Sequence, residues 1–240
     1  MEIAPGVHQF WGLGCRVFAL LGDTITLIDA GAPGNRPFVL HHLRKLGKSA
    51  KDVERIILTH YHLDHRGAAG ELRRASGADI HIHASEAPYL RGELSYPNPV
   101  NRGVAPTLAV VTDPLFAATR GGPLPAQELN DGDVIDVRGG LHVLHSPGHT
   151  RGSIVLWLPH EGLLFAGDTM GFRRGRLQEP EARVSEDPEV ARASLERLAA
   201  VDFDTICFSH FEPMPRGGKR ALEELAATWS SEFQSPAAGS

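Results

Sequence analysis

Short apolar runs separated by glycine or proline make up most of the first sixty positions. Runs rich in Val, Ile, Leu and Phe predict β-strands. Gly22–Asp23, between two such runs, predicts a hairpin turn. Between Arg36 and Leu46 apolar residues recur at helical spacing, and Gly47 marks the predicted end of that helix. The strands predicted in this part are 7–10, 15–21, 24–29 and 53–58.

The second half repeats the order of strands followed by a helix. Strand-sized runs with single glycine or proline breaks between 133 and 167 predict an antiparallel meander. Asp187 is the predicted N-cap of the next helix, because its side chain can accept from the free amides of a first helical turn. The elements predicted beyond residue 60 are helices at 67–75, 188–200 and 218–229 and strands at 79–83, 133–137, 141–145, 153–158, 163–167 and 205–208.

Two segments depart from this regular order. Residues 92–128 are punctuated by prolines and glycines, and long irregular segments in compact domains are usually functional or mobile. We therefore expect 92–128 to be an insertion or a lid over the site. Residues 231–240 are polar and small, which predicts a disordered tail.

The stretch 59–65, Thr-His-Tyr-His-Leu-Asp-His, carries the densest cluster of metal-ligand side chains. Imidazole and carboxylate groups suit zinc and similar divalent ions. In an extended chain, His60, His62 and Asp64 would share one side and His65 would face the other. A polar surface loop is the alternative. Four ligand-type side chains directly after a buried strand favour a metal site.

Three further candidate ligands, His149, Asp168 and His210, each follow a predicted strand. A strand fixes the backbone while the loop after it lets side chains converge. Gly148 and Gly167 precede two of these candidates and permit a close backbone approach. Seven ligand-type residues exceed the needs of one tetrahedral zinc. The economical interpretation is two metals, about 3.5 Å apart, that share a bridging carboxylate and clamp a nucleophilic hydroxide.

The complete pattern resembles the metallo-β-lactamase superfamily, in its glyoxalase II and lactonase-like hydrolase branch. The resemblance rests on the cluster 60–65 and the three later ligands, together with Asp-Ala-Gly at 29–31 and Pro-Gly-His-Thr at 147–150. It spans residues 24–210 and implies an α/β (α+β) fold, an αββα sandwich of two mixed β-sheets flanked by helices. It further implies a single domain over 1–230 with the site at one edge.

The same resemblance implies how the ligands divide. Two divalent metal ions are expected, with zinc first and iron or manganese as alternatives. Asp64 and Asp168 are the expected catalytic residues, because either carboxylate could take the proton after hydroxide attack on a carbonyl. His60, His62 and His149 would hold one ion, Asp64, His65 and His210 the other, and Asp168 would bridge them.

Departures from the family pattern bear on the substrate. The main class of zinc β-lactamases has a cysteine where Asp168 stands, which disfavours antibiotic hydrolysis here. Acyl-homoserine lactonases usually have a tyrosine soon after the bridging aspartate, whereas this chain has Met170, Gly171 and Phe172. The last ligand usually lies between glycines, whereas His210 follows a serine and precedes Phe211.

The leading functional prediction is a dinuclear metal-dependent hydrolase that cleaves an ester, lactone or thioester. One alternative is an oxidoreductase similar to persulfide dioxygenase, in which two histidines and an aspartate hold a single iron. A nuclease of the same superfamily ranks last. The net charge of −5 and the absence of a long basic run argue against binding to nucleic acid.

Several other side chains have expected roles. Asp29 is expected to accept the N–H of a ligand imidazole, which would fix its tautomer. Arg173, Arg174 and Arg176 could bind an anionic substrate group, but a solvated loop is the favoured interpretation. The pocket-wall candidates include Met170, Phe172 and Phe211, together with Tyr61, Tyr89 and Tyr96.

Composition sets the remaining expectations. The chain's 42% hydrophobic and 22% charged residues are ordinary fractions for a soluble globular enzyme. Cys15 and Cys207 form no CxxC pair, so we expect buried, inert thiols and a reducing compartment. No apolar run reaches the length of a membrane span, and no signal peptide is evident. These features predict a cytoplasmic monomer or homodimer with a small-molecule substrate and neither membrane nor nucleic-acid partner.

Overall fold

A computed structural model of the chain describes residues 1–96, 122–180 and 182–232, with the backbone alone for 230–232. The chain divides into two compact units, Met1–Asn130 and Asp131–Ser240, which are called here the first and second units. Residues 97–121 of the predicted insertion and 233–240 of the predicted tail lie outside the described residues. The lid, the tail and the single domain over 1–230 therefore stay predictions.

The first unit contains a seven-stranded mixed sheet whose strands follow the chain order. Strands β1 to β4 pair antiparallel, whereas β4 to β7 pair parallel. The strands are β1 (Glu2–Ala4), β2 (Val7–Phe10), β3 (Val17–Leu21), β4 (Ile25–Ile28), β5 (Val53–Ile57), β6 (Asp79–His83) and β7 (Gln127–Leu129).

Helices cover this sheet because their apolar stripes need a buried partner surface. Val39 and Leu43 from α1 and Leu72 from α3 belong to the same buried cluster as Leu27 of β4 and Ile56 of β5. The parallel strands β4 and β5, after which the candidate ligands come, are therefore anchored in the core of the first unit. The helices are α1 (Arg36–Lys45), α2 (Leu63–Arg66), α3 (Ala69–Ser76) and α4 (Ala87–Leu90).

The second unit contains a five-stranded mixed sheet in the order β14-β11-β10-β9-β8. The predicted antiparallel meander is confirmed for β8 to β11, and β14 joins β11 in parallel. Its elements are β8 (Val134–Ile135), β9 (Leu141–His145), β10 (Ile154–Leu158), β11 (Leu163–Gly167), β12 (Gly171–Arg173), β13 (Arg176–Gln178), α5 (Pro188–Leu198), β14 (Thr205–Phe208) and α6 (Gly218–Glu232).

Helix α5 begins where the sequence predicts. The Asp187 carboxylate accepts from the amides of Glu189 and Val190, which confirms the predicted N-cap. Leu195 and Leu198, further along the helix, are buried in the core of the second unit. This anchored first turn lies beside the loop that carries His149, as the hydrogen bonds described below show.

A hairpin replaces the loop that was favoured for residues 173–176. Strands β12 and β13 pair antiparallel, and only two residues join them. Arg174 and Gly175 both have positive φ, 52° and 76°, which is typical of a type I′ turn. Strands of three residues carry too little periodicity to be predicted, and β1 and β7 were missed for the same reason.

The predicted fold class is confirmed, because each unit has a mixed sheet and helices that bury one of its faces. In the part of the chain that the structure describes, no helix combines the length and apolar character needed to cross a membrane.

Candidate metal centre

Two neighbouring parallel strands bring Asp29 to the histidine-rich stretch in the first unit. Because β4 and β5 are parallel neighbours, the residues after their carboxyl ends lie at the same sheet edge. Asp29 follows β4, and Thr59 and His60 follow β5. The Asp29 carboxylate accepts from the Thr59 amide at 2.8 Å, and all three residues are buried. The ligand stretch is therefore fixed from its first residue.

Residues 60–65 are not extended, so the predicted alternation of sides is wrong. Helix α2 begins at Leu63, directly after His62. The amides of His65 and Arg66 donate to the His62 carbonyl, each at 3.0 Å. This turn rotates His65 back toward His60, and the two ring centroids lie 4.1 Å apart. His65 thus faces the cluster instead of the opposite side.

The first unit brings together all four ligands predicted within residues 60–65. His60 Nε2 lies 2.9 Å from His62 Nδ1. His65 Nε2 lies 3.8 Å from an Asp64 carboxylate oxygen. His60 and His65 are fully buried, whereas the Asp64 side chain is 44% exposed. Buried imidazoles with nitrogens facing one another and a nearby carboxylate form the donor set that a borderline divalent metal prefers.

Asp29 contacts this cluster as the sequence predicts. Its Oδ2 lies 2.9 Å from His65 Nδ1. Because a carboxylate only accepts, Nδ1 carries the proton and Nε2 keeps a lone pair. Asp29 has φ +60°, a left-handed conformation that aspartate tolerates better than most residues.

The Thr59 hydroxyl is a partner that the sequence did not reveal. Its Oγ1 lies 3.0 Å from each Asp29 oxygen and 3.1 Å from His60 Nδ1. Thr59 thereby joins Asp29 to a second imidazole. Both contacts involve Nδ1, whereas Nε2 of His60 faces His62 and Nε2 of His65 faces Asp64.

In the second unit, three strands that run in the same direction end at one edge. Strands β9 and β11 are both antiparallel to β10, and β14 is parallel to β11. His149, Asp168 and His210 come after these three strands. Asp168 Oδ2 lies 3.6 Å from His149 Nε2 and 3.3 Å from His210 Nε2. One carboxylate oxygen therefore faces two imidazole nitrogens.

The loop of His149 is held by helix α5 and the residues before it. The amide of Glu186 donates to the His149 carbonyl at 3.0 Å, and the amide of Asp187 donates to the Gly148 carbonyl at 2.9 Å. The Ser194 hydroxyl donates to the Pro147 carbonyl at 2.7 Å. These contacts hold the backbone of the loop from Pro147 to His149, and no sequence pattern indicated that Ser194 takes part.

A cavity of about 280 Å³ opens beside the three ligand candidates of the second unit. Met170 and Phe211 line it, which confirms them as wall residues. Phe172 instead stacks on Phe208, with ring centroids 5.6 Å apart. Arg173 also lines the cavity, so at least one of the three arginines after Asp168 faces the site.

The two cysteines are buried, as predicted. Burial raises the pKa of the Cys15 thiol to about 11, although the neighbouring His65 partly opposes this shift. Burial raises the pKa of the Cys207 thiol still further. Both thiols are therefore protonated near pH 7, which makes them poor nucleophiles and poor metal ligands.

A profile of the metallo-beta-lactamase superfamily matches residues 13–210, a range that contains all seven candidate ligands. The chain belongs to the metallo-β-lactamase superfamily. It is accordingly a metal-dependent hydrolase, and the donor sets of both units fit the divalent metals that this superfamily generally binds.

Relatives and solved structures agree with this assignment. Probable metallo-hydrolase YflN of Bacillus subtilis (strain 168) is 29% identical to the chain, over 96% of the chain and 93% of the relative. Hydroxyacylglutathione hydrolase of Fuscovulum blasticum is 34% identical, but the alignment covers 65% of the chain and 47% of that protein. The crystal structure of a metallo-beta-lactamase family protein from Thermus thermophilus is similar with a TM-score of 0.74 at 25% identity, covering 97% of this chain and 82% of that chain.

A subclass B3 metallo-beta-lactamase from a soil metagenome library shares the fold. Its TM-score is 0.69 at 21% identity, covering 95% of this chain and 91% of that chain. At this identity the likeness concerns the fold and not the substrate.

Proposed function

We propose that this superfamily member is a dinuclear hydrolase of esters, lactones or thioesters. The observation that carries the proposal is the position of Asp168, whose Oδ2 faces both His149 and His210. The superfamily match covers residues 13–210, which include all seven candidate ligands. In the proposed site, His60, His62 and His149 hold one ion, Asp64, His65 and His210 hold the other, and Asp168 bridges them.

Two ions in such a site would supply Lewis acidity and would generate a nucleophile from water near pH 7. Zinc is the expected metal, with iron or manganese as alternatives. The residues of the chain orient the donors. Asp29 keeps the proton of His65 on Nδ1, so that Nε2 keeps the lone pair that a metal ion would need. The Thr59 hydroxyl contacts Nδ1 of His60 in a similar way.

The carboxylates of Asp64 and Asp168 are the candidates for accepting and donating a proton during the reaction. Asp64 is partly exposed and can exchange a proton with water. Asp168 is mostly buried, with 17% of its side chain exposed, between His149 and His210. Either group can accept the proton that is released when water attacks an acyl carbonyl, and can return it to the leaving oxygen or sulfur.

The acyl substrate class is supported by sequence likeness and by composition. One relative is named for hydrolysing hydroxyacylglutathione, a thioester. Asp168 stands where the main class of zinc β-lactamases has cysteine, which disfavours antibiotic hydrolysis. The net charge of −5 supports a small-molecule substrate instead of nucleic acid. A cytoplasmic location and a monomeric or homodimeric state stay predictions.

Replacing His62 with alanine tests the proposed activity. A panel of aryl esters, lactones and thioesters should identify a substrate for the unmodified enzyme. His62→Ala should then lower kcat/KM by more than about 100-fold, since loss of a ligand should exceed the 10- to 100-fold effect typical of residues that support ligands. The matched control is His41→Ala, at an exposed position on α1, which should keep full activity. Full activity in His62→Ala would end the proposal.

Replacing Asp29 with asparagine tests the support of His65. An asparagine must direct its oxygen to the Thr59 amide, so its NH₂ group would face His65 Nδ1. This contact favours the tautomer of His65 that carries the proton on Nε2. A protonated Nε2 has no lone pair with which to bind a metal ion. We expect the affinity for one of the two ions to fall about 10- to 100-fold in a competitive chelator titration. Asp23→Asn in the exposed β3–β4 turn is the control, and equal affinities in both variants would contradict this role.

A further inference from the structure

The hairpin β12–β13 has one face toward the core and one toward the cavity. Phe172 and Leu177 form a directly opposed pair; Leu177 is buried and Phe172 packs on Phe208. Gly171 and Gln178 form the next opposed pair, and both line the cavity together with Arg173. Because side chains alternate along a strand, Arg173 lies on the face of Gly171 and Gln178, and it is the arginine of this hairpin that lines the cavity.

We propose that Arg173 binds a carboxylate of the substrate, so that the enzyme prefers acyl substrates that carry a negative charge away from the scissile bond. This inference rests on the proposed hydrolase function and adds the substrate's charge to it. A guanidinium group presents a planar set of donors that matches a carboxylate with two parallel hydrogen bonds. Arg173 lines the same cavity as His149, Asp168 and His210, so the bound group and the scissile carbonyl would share one small space.

Glu179, a second carboxylate of the cavity wall beside Asp168, already has cationic and N–H partners. Arg192 donates three hydrogen bonds to it, of 3.0, 3.1 and 3.4 Å, and Trp229 donates its indole N–H to the same carboxylate. The Arg192 guanidinium lies 5.4 Å from the Trp229 ring centroid, which holds this cation in place. Glu179 therefore does little to cancel the positive charge that Arg173 brings to the wall.

The register of the hairpin places a second cation on the same face. Arg176 lies directly opposite Arg173 in the paired strands. The cavity face of the hairpin therefore carries two positively charged residues, which favours an anionic ligand over a cationic one. Arg174 differs, because it occupies the two-residue turn and is not among the residues that line the cavity. The three arginines that looked equivalent in sequence are therefore not equivalent in the fold.

A matched pair of substrates tests the proposal. The anionic probe is 4-nitrophenyl hydrogen glutarate, and the neutral probe is its methyl ester. The unmodified enzyme should prefer the anionic probe, and the preference should shrink as salt is added. In Arg173→Gln the ratio of kcat/KM values, anionic to neutral, should fall about 10- to 100-fold, mainly through a higher KM for the anionic probe. Arg173→Lys should restore part of the ratio, because it keeps the charge but loses the planar fork.

Arg174→Asn is the matched control. It removes one positive charge from the neighbouring position, and asparagine tolerates the left-handed turn conformation. Its ratio should equal that of the unmodified enzyme. Equal ratios in Arg173→Gln and Arg174→Asn would overturn the role of Arg173, as would an unmodified enzyme that hydrolyses both probes without a charge preference. An enzyme that hydrolyses no ester, lactone or thioester would instead overturn the proposed function.

Discussion

An Asp168→Asn variant is expected to lose about a thousandfold or more in kcat/KM for its acyl substrate. Asparagine has nearly the same shape, so the loop after β11 should keep its fold. It carries no negative charge, and only one of its two terminal atoms accepts. Asp168 Oδ2 lies within 3.6 Å of His149 Nε2 and 3.3 Å of His210 Nε2, and a neutral amide there cannot serve two cations.

Steady-state kinetics at saturating metal measure this loss. Saturating metal matters because a weakened site could otherwise lose activity only by losing its ion. Asp202→Asn is the control, since that side chain is 93% exposed in the same unit. Asp202→Asn should retain the activity of the unmodified enzyme. If Asp168→Asn keeps its kcat/KM within a few-fold of that enzyme, Asp168 does not bridge the reacting centre.

Gly148→Ala is expected to destabilise the fold by about 3 kcal/mol or more, because overpacking and backbone strain both act at this position. Gly148 has φ +130°, a conformation that residues with a Cβ rarely adopt. A Cβ built on it would lie 2.2 Å from the Ala191 amide nitrogen and 2.3 Å from the Ala191 Cα. These are backbone atoms of α5, so the helix or the His149 loop must move.

Thermal unfolding separates the steric clash from the backbone strain. Gly132→Ala is the control, because Gly132 also has positive φ, +85°, but a Cβ at that position would have no atom within 4 Å. For a chain of this size we expect the Tm to fall by about 10 °C for Gly148→Ala and by about 3 °C for Gly132→Ala. Equal shifts in the two variants would show that the contact with α5 does not position the His149 loop.

The sequence indicated where the candidate ligands stand, because each group of them follows an apolar strand. Strands with long buried runs, such as β5 and β11, carry a strong periodic signal, and their ends are well defined. The path of the chain after β5 was predicted wrongly. His62 precedes α2 without any side-chain cap, so the usual signal for the start of a helix is missing.

The supporting contacts were beyond prediction for a different reason. Ser194 reaches Pro147 across 47 positions of the chain, and Trp229 reaches Glu179 across 50 positions. Such partners depend on how α5 and α6 pack, and a single sequence carries no pattern for that. The contact of Asp29 with an imidazole was predicted only because the superfamily resemblance pointed to it. Local patterns therefore indicated the ligands, whereas tertiary packing supplied their support.

The most direct test of the shared carboxylate is a Co²⁺ titration of the metal-free enzyme, followed by electron paramagnetic resonance and by ester hydrolysis. The proposed site predicts two bound ions per chain, with spins that couple when the second ion binds, because a bridged pair lies about 3.5–4 Å apart. Asp168→Asn should lose that coupling. Full activity with a single bound ion per chain, or two ions whose spins do not couple, would contradict the dinuclear centre.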